Sequence, residues 1–461
     1  MLKRYIGDRA FYRNVFTIAI PIIIQNGITN FVSLLDNIMV GQVGTIPMSG
    51  VSIVNGLLFV FNLCIFGASS GAGIFTAQYY GCQDHDGIRY TFRFKVMVCL
   101  LLSLLGGLVF SCGDRLLIGL YLTGEGDAAA AAGAMEYGCR YLKIMLWGFL
   151  PFAMANAYSS TLRETGKTTV PMVAGIAAVL VNLVLNYLLI FGNFGMPEMG
   201  VRGAAVATVV SRFVELSIVA GWAHLNSRKA APYMQGAYRS LRIPVTLLKS
   251  VTGKCIPLLA NEFMWSAGIA MLNQCYSTCG LDVVPALNIS ATIQNLANVV
   301  SIALANAVGI CMGQMLGAGK SREELLSSNR KLMRLSLLVG AVFGCVLLAI
   351  SGLFPRLYNT NEDVRSLAMA LICVTGLLMP LMSYTLSSYF TLRSGGQVIV
   401  TFLFDSCFMW CCPVLLAFCL SRFTSMHIVL MYGICQGMDL IKAGIGTVLI
   451  RKGIWIRNLT Q

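Results

Sequence analysis

Polar side chains that could bind a cation lie within apolar stretches of this chain. Asp36 is the only charged residue between Asn14 and Val40. A carboxylate at membrane depth is energetically costly, so it marks a candidate functional site. Asn182 and Asn186 are four residues apart in another apolar stretch, and on a helix they would present two amides on one face. A hard cation such as Na⁺ prefers several oxygen ligands, and one carboxylate would balance its charge.

The composition is that of an integral membrane protein. Hydrophobic residues make up 57% of the 461 residues, charged residues make up 11%, and the mean hydropathy is +0.75. A helix needs about 20 apolar residues to cross the hydrocarbon layer of a membrane. We predict twelve transmembrane helices, at residues 14–40, 49–78, 96–113, 136–160, 168–192, 204–225, 255–278, 285–315, 335–353, 366–391, 398–420 and 428–450. The first run is too long for a signal peptide, so we interpret it as a membrane helix.

The excess of positive charge follows the predicted loops. The net charge is +14, and the basic residues lie at every second connection between helices. This distribution indicates membrane topology and not nucleic-acid binding. The richest connection is residues 226–254, which contain basic residues but no Asp or Glu. We therefore predict a multi-pass protein of the plasma membrane with both termini in the cytoplasm.

The two halves of the chain repeat one another. At one constant spacing, Pro21, Asn37, Asn62 and Gly81 recur as Pro257, Asn273, Asn298 and Gly317. Six crossings return a chain to its starting side, so both halves have the same orientation, as in the parallel repeats of secondary transporters. We predict an N-terminal six-helix lobe at 1–225, a basic cytoplasmic linker at 226–254 and a C-terminal six-helix lobe at 255–461. The substrate path is expected between the lobes.

Short motifs follow one another along nearly the whole chain. They are Ile20-Pro21 with Leu35-Asp36-Asn37, Ala77-Gln78-Tyr79-Tyr80-Gly81, Leu162-Arg163-Glu164-Thr165-Gly166, Asn182-Leu183-Val184-Leu185-Asn186 with Gly203-Ala204-Ala205, and Ile256-Pro257 with Glu262. Their order and spacing resemble those of the multidrug and toxic compound extrusion (MATE) transporters. The resemblance implies an all-α fold of twelve transmembrane helices, in which two lobes form a V and alternate between inward-open and outward-open states.

The resemblance also implies a function. Members of this family export lipophilic, often cationic, drug-like compounds, and the energy comes from entry of Na⁺ or H⁺. The resemblance assigns the coupling-ion role to Asp36, with Asn182, Asn186 and Thr208 as oxygen-bearing neighbours. The alternative for the asparagines is that their hydrogen bonds only hold helices together. Some relatives have an aspartate at the position of Asn186, and its absence here makes proton coupling depend more on Asp36.

The C-terminal half offers a second candidate site. Glu262 lies five residues after Pro257, and the resemblance suggests that it handles the ion or a cationic substrate. Family members that pair it with a second carboxylate have an aspartate in the tenth span, whereas residues 380–385 contain none. Asp405, in the eleventh span, is our candidate for the missing charge.

Two other charged pairs within spans have a structural interpretation. Arg212 and Glu215 are three residues apart, as are Asp439 and Lys442. Residues at this spacing lie on one helix face, where opposite charges neutralise each other. We predict a structural ion pair in each case.

Other classes of function fit less well. A lipid-linked precursor flippase of the same superfamily remains the alternative, although an acidic first helix is unfavourable for it. A channel would be recognised by flux above carrier turnover, and no catalytic motif of an intramembrane enzyme is present. The sixteen cysteines scatter through apolar helices without histidines at ligand spacing. We predict a monomeric transporter with no cofactor, and no metal beyond a possible Na⁺ at Asp36.

Overall fold

Helices account for all the regular secondary structure that is described. The computed structural model describes residues 7–122, 128–280, 282–424 and 426–460, without the side chain of Leu34. The α-helices in these ranges are α1 (Arg9–Gly41), α2 (Thr45–Gly81), α3 (His85–Cys112), α4 (Asp114–Leu122), α5 (Ala128–Met145), α6 (Phe149–Glu164), α7 (Thr169–Phe191), α8 (Val201–Leu225), α9 (Val245–Ser277), α10 (Val283–Gly317), α11 (Arg322–Ile350), α12 (Glu362–Ser394), α13 (Val398–Phe402), α14 (Leu415–Phe423), α15 (Ile428–Gly437) and α16 (Asp439–Lys452).

The helices account for the predicted spans. Among the described residues, eleven helical stretches are long and apolar enough to cross a membrane. The remaining predicted span, 136–160, falls on a broken helix in which the 3₁₀ turn Leu146–Gly148 joins α5 to α6. Pro151 lies in the first turn of α6, where a residue without an N–H is tolerated. With this broken helix, the twelve predicted spans are present.

Contacts within the chain divide it into two compact units. The N-side unit comprises Ile24–Thr76 and Asp84–Cys255, and the C-side unit comprises Met1–Ile23, Ala77–Gln83 and Ile256–Gln461. The predicted division at residues 225 and 254 stays a prediction. Helix α9 begins at Val245, before the predicted boundary at 255, because residues too polar for the hydrocarbon layer can still form helix outside it.

Close approach of α7 and α8 organises the N-side unit. A Cβ atom on Gly203 of α8 would lie 2.5 Å from the backbone oxygen of Leu189 on α7, so a residue without a side chain allows this contact. The segment after α8 is held by Arg93 of α3. Its guanidinium donates to the backbone oxygens of Ala237, Gly236 and Arg242 at 2.7, 3.0 and 3.2 Å. These residues of the predicted linker are therefore ordered against the N-side unit.

The C-side unit has its core where α10, α11 and α12 pack together. Buried apolar residues include Leu304, Met312, Leu332 and Leu392. The tail after α16 packs on the same unit, because the Gln78 amide donates to the Arg457 oxygen at 3.2 Å and accepts from the Leu459 N–H at 2.7 Å.

Candidate functional site

The four residues predicted for the N-terminal lobe come together in the N-side unit. Asn186 Nδ2 on α7 donates to Asp36 Oδ1 on α1 at 2.7 Å. It also donates to Asn182 Oδ1, one turn earlier on the same helix, at 3.2 Å. Asn182 Nδ2 donates to Thr208 Oγ1 on α8 at 3.2 Å. Three helices thus converge on one polar cluster, and the predicted grouping of these residues is observed.

The Asn182 amide has two orientations with different chemistry. In the orientation just described, Asn182 Oδ1 faces both carboxylate oxygens of Asp36. After rotation by half a turn, the amide nitrogen donates to these oxygens at 3.0 and 2.9 Å, and its oxygen accepts from Thr208 at 3.2 Å. Two facing acceptors repel each other unless a proton or a cation lies between them. The rotated orientation is therefore the one that satisfies its neighbours, with Asn182 donating to Asp36 and accepting from Thr208.

A further oxygen in the cluster lacks a hydrogen-bond donor among the described residues. Asn186 is 1% exposed, and its Oδ1 atom is buried with no partner. A buried polar atom without a partner carries an energetic cost, so this oxygen is suited to accept a ligand. With Asp36, Asn182 and Thr208, it gives a set of oxygens that suits Na⁺.

Two cavities meet at this cluster. The larger has a volume of about 320 Å³, and its wall includes Asp36, Asn186 and Thr208 together with the aromatic side chains Phe59 and Phe149. The smaller has a volume of about 90 Å³ and extends past Asp36 and Asn182 to Gln25, Gly175 and Glu215. Asp36 therefore lies at the boundary between a roomy, partly aromatic space and a narrow polar one.

The predicted pair of Arg212 and Glu215 is confirmed, and it borders the site. Arg212 Nη1 lies 3.2 Å from Glu215 Oε2, and the guanidinium stacks over Phe152 at 5.0 Å from the ring centre. Arg212 lines both cavities, whereas Glu215 lines only the smaller one. The spacing of the pair was evident in the sequence, but its position beside Asp36 was not.

Gln25 was missed by the sequence analysis. It is 8% exposed, lines the smaller cavity and accepts a hydrogen bond from Arg163 Nη2 at 2.7 Å. A signal for it existed, because the internal repeat pairs Gln25 with Asn261 in the same way that it pairs Pro21 with Pro257.

In the C-side unit, Asp405 is held by other side chains. Its Oδ1 atom lies 2.7 Å from Lys442 Nζ, and its Oδ2 atom accepts from Asn261 Nδ2 at 3.1 Å. Asn261 also donates to Tyr389 Oη at 3.2 Å. In the described part of the chain, Glu262 has no hydrogen bond to Asp405, although it is near enough to interact with Asp405 and Arg393 electrostatically.

The close ion pair of Lys442 is with Asp405 and not with the predicted Asp439. Asp439 interacts with Lys442 electrostatically at longer range. Residues Leu403–Cys407 form a π-helical segment, and its extra residue per turn changes which side chains face inward. Asp405 thereby reaches Lys442. The close partner of Lys442 is therefore on another helix and is not Asp439 on its own helix.

Comparison with known proteins identifies the family. A family model described as MatE matches residues 21–188 and 257–419. The chain belongs to the MatE family. This confirms the family indicated by the sequence motifs, and the chain is a multi-pass membrane transporter and not an enzyme.

Curated relatives of this MatE protein match most of its length. A protein of Thermotoga maritima named "Probable multidrug resistance protein NorM" is 23% identical over 89% of this chain and 86% of its own. A protein of Pseudomonas aeruginosa named "Multidrug resistance protein PmpM" is 26% identical over 82% of this chain and 77% of its own.

Solved structures confirm the fold. A multidrug resistance MATE family transporter of the MOP superfamily, in an outward-facing conformation, has a TM-score of 0.86 at 18% identity and covers 98% of this chain and 97% of its own. A MOP superfamily transporter from Pyrococcus furiosus has a TM-score of 0.83 at 18% identity, with the same coverage of both chains. The predicted all-α membrane fold is therefore confirmed.

Proposed function

We propose that this chain is a cation-coupled antiporter that exports lipophilic, often cationic, drug-like compounds by alternating access. Na⁺ or H⁺ is the coupling ion, and it enters the cell through the cluster of Asp36, Asn182, Asn186 and Thr208. The protein acts in the plasma membrane with both termini in the cytoplasm. The names of the curated relatives, both multidrug resistance proteins, support the class of substrate.

The observation that carries the proposal is the convergence of Asp36, Asn182, Asn186 and Thr208 from three helices in one cluster. The site has one carboxylate, and each of the other three residues brings a side-chain oxygen to it. The Asn186 Oδ1 atom, buried without a hydrogen-bond partner among the described residues, can serve as a ligand. A proton on Asp36 would also neutralise the carboxylate, so the arrangement supports either coupling ion.

The larger cavity supports the substrate side of the proposal. Aromatic walls bind flat apolar compounds, and Asp36 on the same wall attracts a cationic group. Cation and drug then compete through the conformations that each one stabilises. When the exported compound is neutral, a single charge entering down a potential of 100 mV supplies about 2.3 kcal/mol, which supports accumulation of tens-fold. One-for-one exchange against a cationic compound moves no net charge and draws on the concentration gradient of the coupling ion.

Efflux from proteoliposomes tests this function. A fluorescent lipophilic cation is loaded, and a sodium gradient and a proton gradient are imposed separately on wild type and on Asp36→Asn. We expect gradient-driven efflux in wild type and its loss in Asp36→Asn, because the amide carries no charge to balance a cation. Asp363→Asn is the matched control, since Asp363 is an exposed carboxylate at the start of α12. Wild-type efflux by Asp36→Asn would refute the proposal.

A lipid-linked precursor flippase remains the second candidate. The observation in its favour is Arg212, a basic side chain on the wall of the larger cavity that could receive a phosphate. Glu215 already neutralises this arginine, which favours the antiporter. A flippase would move lipid-linked pyrophosphates across the bilayer without an imposed ion gradient, and the antiporter would not.

A further inference from the structure

Arg212 has one carboxylate partner and spare capacity for another. Among the described residues, its guanidinium makes one hydrogen bond, from Nη1 to Glu215 Oε2, although a guanidinium has five N–H donors. The Arg212 side chain is 36% exposed to the cavities, and that of Glu215 is 14% exposed. The guanidinium can therefore bind a second carboxylate that approaches it, and it can change partners between the two.

The second carboxylate within the same space is Asp36. Thr208, Arg212 and Glu215 recur every three or four residues along α8 and therefore share one face. Thr208 belongs to the ion cluster through Asn182, and Arg212 follows it by one turn. Asp36 and Arg212 together line both cavities. The guanidinium thus pairs with Glu215 and is near enough to Asp36 to interact with its carboxylate electrostatically.

Other ionisable groups surround this pair. Arg163 on α6 donates to Gln25 and is near enough to Glu215 to interact with it electrostatically. Glu164 on the same helix is paired with Lys95 of α3 at 2.5 Å, and Tyr141 on α5 lies 3.5 Å from Asn55 Oδ1. Arg212, unlike Arg163, lines both cavities beside Asp36, so it is the cationic side chain in the described structure that is placed to exchange between Glu215 and Asp36.

We propose that Arg212 is a tethered competitor of the coupling cation. It pairs with Glu215 while Asp36 holds a cation, and it turns to Asp36 when the cation has left. Two positive charges cannot share one carboxylate at membrane depth, and an uncompensated carboxylate there is costly. The exchange gives the Asp36 carboxylate a positive partner at each stage. While that partner is the cation, the guanidinium of Arg212 pairs with Glu215. This inference rests on the proposed ion site at Asp36.

The exchange also gives the released cation a direction. Past Arg212, the smaller cavity ends at Gln25, Gly175 and Glu215. Each of these lies nearer than the ion cluster to the helix end predicted to be cytoplasmic, on α1, α7 and α8 respectively. When Arg212 moves to Asp36, it blocks return of the cation to the cluster and leaves the Glu215 carboxylate free along the exit route.

Opposite shifts in cation affinity test the competition. The thermal unfolding temperature of detergent-purified protein is titrated with Na⁺, and with H⁺ in its absence, because a ligand of the native state raises Tm. Arg212→Met removes the competitor, so we expect the half-maximal cation concentration to fall about tenfold. Glu215→Gln releases Arg212 to Asp36, so we expect the half-maximal cation concentration to rise by a similar factor. The double variant should behave like Arg212→Met.

The controls separate this inference from the proposed function. Glu136→Gln breaks an exposed pair with Arg140 on α5 and should leave the affinity unchanged. Arg212→Lys, which keeps the charge, should stay near the wild-type value and also shows that the position tolerates substitution. If Arg212→Met and Glu215→Gln shift the affinity in the same direction, or if neither shifts it, the pair is structural and the competition is refuted. If Asp36→Asn still transports under a gradient, the proposed function fails regardless of these shifts.

Discussion

At the scale of single residues, the sequence predicted the cluster around Asp36 better than it predicted the hydrogen-bonded network around Asp405. Asn182 and Asn186 lie on one helix, so their spacing alone placed both amides in one site, and the family motifs added Asp36 and Thr208. The partner of Lys442 could not be predicted in this way. It depends on the π-helical turn around Asp405, which leaves no periodic signal in the sequence.

Thr208 distinguishes an ion site from hydrogen bonds that only hold helices together. Thr208→Val keeps the shape and removes one oxygen ligand, so we expect the half-maximal cation concentration for efflux to rise about tenfold, the equivalent of about 1.4 kcal/mol. Thr292→Val is the matched control, because both residues are half-buried, both hydroxyls donate to the carbonyl four residues earlier, and Thr292 lies on α10, outside the cluster. If both variants keep the wild-type cation dependence, Thr208 has only a packing role.

At the scale of helices, the site depends on the separation of α7 and α8. The sequence predicted where these helices run, but not how closely they pack. It also predicted an unbroken fourth span, whereas the structure has a 3₁₀ turn at Leu146–Gly148 between α5 and α6. Gly148 and Phe149 at this break line the larger cavity. A break in a helix follows from local backbone geometry and tertiary packing, which hydropathy does not report.

Gly203 tests the importance of this separation. Gly203→Ala places a Cβ atom 2.5 Å from the Leu189 oxygen, so we expect a loss of about 1–3 kcal/mol in stability from overpacking and a weaker cation response. Gly221→Ala on the same helix is the control, because its Cβ would meet no atom within 4 Å and alanine favours helix. Thermal unfolding in detergent compares the two. Equal stability of both variants would show that α7 and α8 adapt without cost.

At the scale of the whole molecule, the internal repeat carried most of the fold prediction. Pro21 in α1 and Pro257 in α9 occupy equivalent positions in two long helices, and Gln25 and Asn261 are buried polar residues one turn after them. The halves share a scaffold and differ in chemistry. Asp36 is hydrogen-bonded within a cluster of amides, whereas Asp405 is neutralised by Lys442. The internal repeat predicts the shared scaffold. Only the individual contacts show that the carboxylate in the C-terminal half, Asp405, is already paired with Lys442.

The topology gives a prediction at the same scale. In a cysteine-free background, we expect Asn193→Cys to react with a membrane-impermeant maleimide added outside intact cells, because it lies between α7 and α8 in a predicted external loop. Ser240→Cys, in the basic segment after α8, should react only after the membrane is permeabilised. The reverse pattern of labelling would contradict the cytoplasmic position of the termini.

The most direct test of the account is drug-driven cation counterflow. Proteoliposomes are given a gradient of a lipophilic cation but no ion gradient, and movement of ²²Na⁺ or of protons in the opposite direction is followed. Coupling is reciprocal, so we predict counterflow of one of these ions in wild type and none in Asp36→Asn. Drug movement through wild-type protein with no cation moving in the opposite direction would contradict cation-coupled antiport at Asp36.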